Sequence, residues 1–290
     1  MEPRSIPYMV GSYKPSREVM EEHQLRAAYG VAMTHGDVVV TEVDAGISVL
    51  RLNRPHRRNA IDHALVEGLA SGFRDAERRG DAAVVLTGGD SFFSAGGDVG
   101  SMPSASDGLF GAAGRLALIH DLIEHIRRSD MVVIAAVEGY AVGVSWGLVL
   151  ACDLVVAAED AFFAAPFAER GLAADGGAAY HLSRRLGPQR AARHLLLGDR
   201  LPADAAFDAG LVSEVVEPST STGRARDLAA RLAAGPRESN AVTKRLMTSS
   251  TADLSSFLAS ERMAVALAGH GADAAEGRLA FAERRDPRFR

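Results

Sequence analysis

The chain has little of several features that would assign it to a broad class. A single cysteine, Cys152, excludes an intrachain disulfide and fits a reducing, cytoplasmic location. The 32 Lys and Arg residues against 37 Asp and Glu leave a net charge of −5, so no basic field points to nucleic acid. The apolar runs 131–136 and 140–151 are shorter than the roughly 20 residues of a membrane span. The N-terminus has no apolar centre like that of a signal peptide, so neither membrane insertion nor export is expected.

The composition and patterning that are present favour a soluble α/β protein. Of its 290 residues, 47% are hydrophobic and 24% are charged. Two β-branched runs predict a hairpin, and Asp62 is placed to cap a helix that runs to about Arg79. The further predicted strands are 82–86, 131–137, 154–157 and 212–216, and the predicted helices are 17–29, 109–128, a short one after the glycines at 139–147, and most of the chain beyond 176. We therefore expect an N-terminal arm at 1–36, an α/β core at 37–220 and a helical C-terminal module at 221–290.

Five separated segments resemble one known family. They are residues 52–55 with 59–61, 92–98, 134–143 continuing to 151–154, 171–177, and 281–289. One glycine-rich match is a weak signal, whereas five in the same order are specific. Together they resemble the crotonase family, the enoyl-CoA hydratases and isomerases. The resemblance implies a spiral of ββα units with a helical C-terminal trimerisation module, and a homotrimer or homohexamer.

The resemblance also implies a site for a CoA thioester. Two backbone N–H groups, those of Gly97 and Val144, would stabilise the enolate oxygen that develops on the thioester. The residues themselves support Val144, which opens a helix after a strand and so presents a free N–H. A tight turn is the alternative role for the neighbouring glycines. CoA is then part of an acyl-CoA or enoyl-CoA substrate, and neither a cofactor nor a metal is expected. The implied substrate-binding residues are Arg57, Ser94, Ala95, Asp98, Val99, Gly143, Trp146, Phe167 and Phe281, with Arg54, Arg58, Arg284 and Arg285 as further sources of positive charge.

The acid and base residues bear on the reaction. In the family's hydratases two glutamates act on water, and the matching positions here hold Gly147 and Phe167, which transfer no proton. Glu169 is near but out of register. Asp175 matches the aspartate of enoyl-CoA isomerases, and one carboxylate is enough to remove a proton at one carbon and return it at another. We therefore predict an isomerase with Asp175 as the acid and base. The alternative role of Asp175 is to cap a helix that begins near Gly176.

Other functions stay open at this point. Asp175 together with His120 resembles an aryl-CoA dehalogenase, although pairing with Glu124 is the simpler role for that histidine. Ser145 lies in a G-x-S-x-G sequence like that of serine hydrolases, with His181 and His194 downstream. An enoyl-CoA hydratase with a non-standard site, and an acyl-CoA-binding member without activity, are the remaining alternatives.

Overall fold

The computed structural model describes residues 38–101, 108–249 and 253–289. The predicted arm at 1–36 and the predicted helix at 17–29 lie outside these ranges. The chain begins with a hairpin, in which β1 (Val39–Asp44) pairs antiparallel with β2 (Ile47–Leu52), as predicted. Helix α1 (His63–Arg79) follows, and the side chain of Asp62 accepts a hydrogen bond from the N–H of Leu65, which confirms the predicted cap.

The next elements alternate between strand and helix. They are β3 (Ala83–Thr87), α2 (Gly108–Arg128), β4 (Val132–Val137), β5 (Tyr140–Val142), α3 (Val144–Ala151), β6 (Leu154–Ala158), β7 (Phe162–Ala164), α4 (Ala178–Leu186), α5 (Pro188–Leu197), β8 (Leu201–Pro202), α6 (Ala203–Asp208) and β9 (Glu214–Val216). The main sheet has the order β1-β2-β3-β4-β6-β9, and all pairs after the first hairpin are parallel. A second sheet has the order β5-β7-β8. The strands of this second sheet were not predicted, because each has only two or three residues and therefore little periodicity.

Both faces of the main sheet are covered by helices. Helix α7 (Ser221–Ala233) buries Ala225, Leu228 and Ala229 against one face of the sheet, while the earlier helices pack with the opposite face in the larger apolar cluster. The boundary predicted at residue 221 therefore does not follow the packing, because α7 completes the core. Small residues on α7 allow this close approach to the strands, and the sequence pattern alone did not distinguish such a helix from one of the C-terminal module.

The remaining helices are α8 (Arg237–Ser249), α9 (Leu254–Gly269) and α10 (Ala272–Glu283). A buried lysine attaches α8 to the core. The Nζ of Lys244 donates to the carbonyl oxygens of Ile126 and Met131 at 2.8 and 2.7 Å, and it pairs with Asp153 at 2.7 Å. None of the residues of α9, all of which the structure describes, is buried. Across the described ranges, no helix has the length and the apolar character that a membrane span requires.

Candidate active site

Two backbone segments approach each other closely beside the N-terminus of α3. Ser94 bridges to Ala141, and the N–H of Val142 donates to the carbonyl of Ser94 at 3.1 Å. Gly96 has a φ of +96°, and a Cβ at this residue would lie 2.6 Å from the carbonyl oxygen of Val142. Only glycine therefore suits this position, which keeps residues 94–97 against residues 141–144.

The same approach leaves two backbone donors at one cavity. Gly143 is the N-cap of α3 with a φ of 60°, and Val144 is the first residue of this eight-residue helix. Within the ranges that the structure describes, the N–H groups of Gly97 and Val144 donate no hydrogen bond to another protein group. The positive end of the helix dipole adds to the field at this point. The arrangement is able to stabilise negative charge on an oxygen atom.

A cavity of about 130 Å³ opens at these donors. Seven of the residues predicted for the site lie in its wall, namely Ala95, Gly97, Val99, Gly143, Val144, Phe167 and Asp175. Most of the other lining residues are apolar, and α1, α2 and the segment 166–172 contribute the larger part of them. The cavity therefore joins a polar end, with two N–H groups and a carboxylate, to an apolar space of the kind that holds an acyl chain.

The absence of a side chain at Gly147 allows the loop that carries Asp175 to pack close to α3. A Cβ at residue 147 would overlap the carbonyl oxygen of Gly176, and a Cβ at Gly176 would lie 2.7 Å from Cγ2 of Val144. Loop 175–177 therefore packs directly on the first turns of α3, which leaves no room for a glutamate at residue 147. The half-buried Asp175 faces the cavity from this loop. Helix α4 begins at Ala178 with Gly177 as its N-cap, so the capping position predicted as an alternative for Asp175 is held by another residue.

An aromatic ring occupies the position at which the resemblance implies a second glutamate in hydratases. Phe167 is buried, lines the cavity and lies against Gly143, where a Cβ would be 3.8 Å from its ring. Glu169 is exposed and turns toward Gly198, where a Cβ would lie 2.7 Å from Oε1. Glu169 is not among the residues that line the cavity. The structure thus agrees with the prediction that neither position offers a carboxylate to the site.

The other predicted residues lie away from the cavity wall. Trp146 is buried and stacks on Phe163 at 5.8 Å, because it faces the core side of α3. The hydroxyl of Ser94 donates to the carbonyl of Asn59 at 2.7 Å, which supports the turn rather than a ligand. Arg57 is exposed in the turn Pro55–Arg57. Phe281 is 88% exposed on α10.

Arg54 and Asp98 belong to an internal network. One guanidinium nitrogen of Arg54 lies 3.0 Å from Asp62 and 3.1 Å from Asp98, and the other donates to the carbonyl of Ala60. Arg54 is thus engaged in holding the start of α1 against residues 96–98. These contacts do not favour Arg54 as a source of positive charge for CoA, whereas Arg57 and Arg58 are exposed on the same turn.

His120 is not among the residues that line the cavity with Asp175. It is exposed and lines a separate depression with Tyr180 and His181. Glu124, its predicted partner, pairs instead with Arg128 at 2.9 Å. The dehalogenase alternative needs a histidine next to the aspartate, and this geometry does not support it.

The serine hydrolase alternative is wrong. The hydroxyl of Ser145 is buried, donates to the carbonyl oxygens of Ser94 and Val142, and accepts from the N–H of Val142. His194 packs edge-on against Trp146, and its Nδ1 lies 2.9 Å from the carbonyl of Asp199. Ser145 therefore ties the two backbone segments together, and within the described ranges no histidine ring hydrogen-bonds to its hydroxyl. The G-x-S-x-G sequence arises here from glycines required by close packing.

Several cavity residues were not predicted from the sequence. Asp62 and His63 enter from the start of α1, Arg170 enters from the turn Ala168–Arg170, and Leu116, Leu118 and Ile119 enter from α2. These residues are distant in the chain and belong to no motif, so only the tertiary structure brings them together. The sequence showed the apolar stripe of α2, but it did not show which part of that stripe faces a ligand.

Comparison with known proteins agrees with this geometry. Residues 42–290 match the sequence profile of the enoyl-CoA hydratase/isomerase family. The 1,2-epoxyphenylacetyl-CoA isomerase of Escherichia coli K12 is 32% identical over 87% of this chain and 98% of its own length. The 2,3-dehydroadipyl-CoA hydratase of the same organism is 33% identical over 84% of this chain and 95% of its own.

The solved structures that resemble this chain belong to the same family. An enoyl-CoA hydratase from Polaromonas sp. JS666 superposes with a TM-score of 0.83 at 32% identity, covering 87% of this chain and 99% of that one. An enoyl-CoA hydratase from Mycobacterium smegmatis gives a TM-score of 0.80 at 32% identity, covering 86% and 98%. The chain therefore belongs to the enoyl-CoA hydratase/isomerase family, whose members act on CoA thioesters, and it has the crotonase fold.

Proposed function

We propose that this protein isomerises enoyl-CoA thioesters by moving a proton with Asp175, and that it hydrates them poorly. The observation that supports this most directly is the contact between Gly147 and loop 175–177. The carbonyl of Gly176 fills the space that a glutamate side chain would need, and the same contact holds Asp175 at the cavity. In this proposal the single carboxylate of Asp175 takes the place of the two glutamates of the family's hydratases.

The reaction follows from the two donors and this carboxylate. The thioester oxygen accepts hydrogen bonds from the N–H groups of Gly97 and Val144, which lowers the energy of the enolate formed when a proton leaves carbon. Asp175 takes that proton from one carbon and returns it at another, so the double bond moves while the overall composition is unchanged. Proton removal and return by one group need no water at the site.

Hydration, in contrast, needs a group that orients and deprotonates water. The other polar side chains in the cavity wall suit this role poorly. Asp62 accepts a hydrogen bond from the N–H of Leu65 and pairs with Arg54, and His63 lies 3.1 Å from Glu67. The guanidinium of Arg170 offers hydrogen-bond donors and no acceptor, so it does not suit the role of a base. Phe167 further covers the wall with an apolar ring.

CoA forms part of the substrate and is expected to enter beside residues 94–99. Ala95 and Val99 lie in the cavity wall, and the exposed Arg57 and Arg58 are close in sequence to Ile61, another lining residue. Guanidinium groups bind phosphate oxygens well, so these arginines suit the phosphates of CoA. Neither a metal nor a separate cofactor enters this proposal.

The test is Asp175→Asn with a 3-enoyl-CoA substrate in D₂O, followed by NMR. The substitution keeps the shape of the side chain but removes the base, so we expect the isomerisation rate to fall by roughly 10² or more. Glu169→Gln is the matched control, because this carboxylate is six residues away and does not line the cavity. The control should retain the wild-type rate.

Three results would contradict the proposal in different ways. Unchanged isomerisation by Asp175→Asn would remove Asp175 from the mechanism. Rapid hydration by the wild type would favour an enoyl-CoA hydratase with a non-standard site, the activity for which several relatives are named. Calorimetric binding of acetoacetyl-CoA without turnover of any enoyl-CoA isomer would favour an acyl-CoA-binding member without activity.

A further inference from the structure

The hydroxyl of Ser145 lies between the two backbone segments that carry the donor N–H groups of Gly97 and Val144. Ser145 directly follows Val144 in the first turn of α3, and it is completely buried. Its Oγ donates toward the carbonyl oxygens of Ser94 at 3.1 Å and Val142 at 2.8 Å, and it accepts the N–H of Val142 at 2.8 Å. A serine hydroxyl has one proton, so the two carbonyl oxygens share it. One side chain thus joins the segment of Gly97 to the start of α3.

The peptide group between Val142 and Gly143 is held at both ends. Its carbonyl oxygen accepts from the Ser145 hydroxyl, and its N–H donates to the carbonyl of Ala164 at 2.8 Å. Gly143 follows with a φ of 60° and a ψ of −129°. Because peptide groups are planar, these two angles set the direction of the N–H of Val144 relative to the held peptide. Rotation of that peptide would therefore change where the Val144 donor points.

The segment that carries Gly97 is held by a second buried serine. The Oγ of Ser94 donates to the carbonyl of Asn59 at 2.7 Å and accepts the N–H of Gly96 at 3.1 Å. The backbone carbonyl of the same Ser94 accepts from the hydroxyl of Ser145. The two donors belong to segments that are far apart in the chain, so bonds of this kind determine the distance between them.

We infer that Ser145 is a positioning residue, which holds the N–H groups of Gly97 and Val144 at the separation that an enolate oxygen requires. Such donors act well only when they lie about 2.7–3.1 Å from the oxygen atom that becomes charged. Ser145 is not among the described residues that line the cavity, so it acts through the backbone rather than on the substrate. The inference rests on the proposed enolate chemistry, but it does not depend on which group moves the proton.

Ser145→Ala tests the inference with two measurements. With a 3-enoyl-CoA substrate, we expect kcat to fall by about tenfold to a hundredfold while KM changes little, because displaced donors stabilise the enolate less than they stabilise the bound substrate. The second measurement uses acetoacetyl-CoA, whose enolate absorbs in the near ultraviolet. The equilibrium constant for enolate formation on the protein should fall by a similar factor, since the same two donors stabilise that enolate. This measurement needs no turnover.

Ser48→Ala is the matched control. Ser48 of β2 is also completely buried, its hydroxyl donates to Asp81 at 2.6 Å, and it is not among the described residues of the cavity wall. Both substitutions should lower the midpoint of urea unfolding, because each removes a buried hydrogen bond. Only Ser145→Ala should lower kcat and enolate formation. Ser145→Cys, which keeps a weaker donor at the same position, should fall between the wild type and Ser145→Ala, and it provides the test if Ser145→Ala does not fold.

Two results would overturn the inference. Unchanged kcat and unchanged enolate formation in Ser145→Ala would show that its hydroxyl serves stability alone. An equal loss of kcat in Ser48→Ala would show that the effect comes from lost stability and not from the donors. Enolate formation by a wild-type protein that isomerises no 3-enoyl-CoA would instead contradict the proposed function alone, and the absorbance of bound acetoacetyl-CoA would still decide the role of Ser145.

Discussion

At the scale of single residues, the absence of side-chain atoms shapes the active site. Gly147 has no Cβ, which allows the backbone of Gly176 to pack against α3. Loop 175–177 then lies where Asp175 reaches the cavity, and Phe167 covers the other position at which the family's hydratases place a glutamate. The proposed change of chemistry from hydration to isomerisation thus depends on steric space as much as on the identity of the base.

Gly147→Ala tests this steric argument. The added Cβ would overlap the carbonyl of Gly176, so either the loop or α3 must move. We expect a loss of about 1–3 kcal/mol in the free energy of unfolding, as for other overpacked positions. We also expect slower isomerisation, because Asp175 moves with the loop. Urea unfolding and the NMR assay in D₂O would measure the two effects.

Gly277→Ala is the control for that substitution. Gly277 lies within α10, and a Cβ there would meet no atom within 4 Å. Alanine favours a helix over glycine by about 0.5–1 kcal/mol, so this variant should be as stable as the wild type or slightly more stable. If Gly147→Ala matched Gly277→Ala in stability and rate, close packing would not be what positions Asp175.

At the scale of elements, a buried ion pair contributes to the attachment of the C-terminal helices. Lys244 of α8 reaches the carbonyls at the end of α2 and the start of β4, and its ammonium pairs with Asp153. The two side chains of this pair are only 5% and 17% exposed. Burial raises the pKa of Asp153, while the charge of Lys244 acts in the opposite direction. Removing one partner would therefore leave an uncompensated carboxylate.

Lys244→Met should destabilise the protein by about 3 kcal/mol, the lower end of the cost of breaking a buried ion pair. Urea unfolding at neutral pH would measure this change in the free energy of unfolding. Arg245→Met is the control, because the adjacent Arg245 pairs with Asp130 where the two side chains are 64% and 58% exposed. An exposed pair contributes less than about 1 kcal/mol. Similar losses in the two variants would show that burial of Lys244 is not what attaches α8.

At the scale of the whole molecule, the C-terminal helices carry apolar side chains that the described chain does not cover. Leu254, Met263 and Leu267 of α9 and Phe281 of α10 are all more than half exposed. A surface of this kind is typical of an interface between subunits. We therefore expect a homotrimer or homohexamer in solution, as the family resemblance implies.

Light scattering with size-exclusion chromatography would measure the assembly. Leu267→Asp should shift the protein toward smaller species, since it places a charge on an apolar surface that another copy is expected to cover. Leu196→Asp is the matched control, because Leu196 of α5 is 68% exposed and Leu267 is 71% exposed. A stable wild-type monomer, or an equal shift in both variants, would contradict assembly through α9.

The sequence by itself determined the order of most elements, the helix cap at Asp62 and the family. These features are local or rest on segments whose glycines and polar residues keep a constant spacing. It also identified Gly97, Val144 and Asp175 as candidates, and the structure brings all three to one cavity. Local signals of this kind depend on neighbouring residues in the chain, which is why they could be read without the fold.

Only the tertiary structure decided how distant segments share space. The overlap that excludes a side chain at residue 147 involves Gly176, and the assignment of α7 to the core depends on its contact with the sheet. Ser145 was ambiguous in sequence, and its hydrogen bonds to Ser94 and Val142 gave it a structural role. Packing and electrostatics act through space, so residues far apart in the chain determine them together.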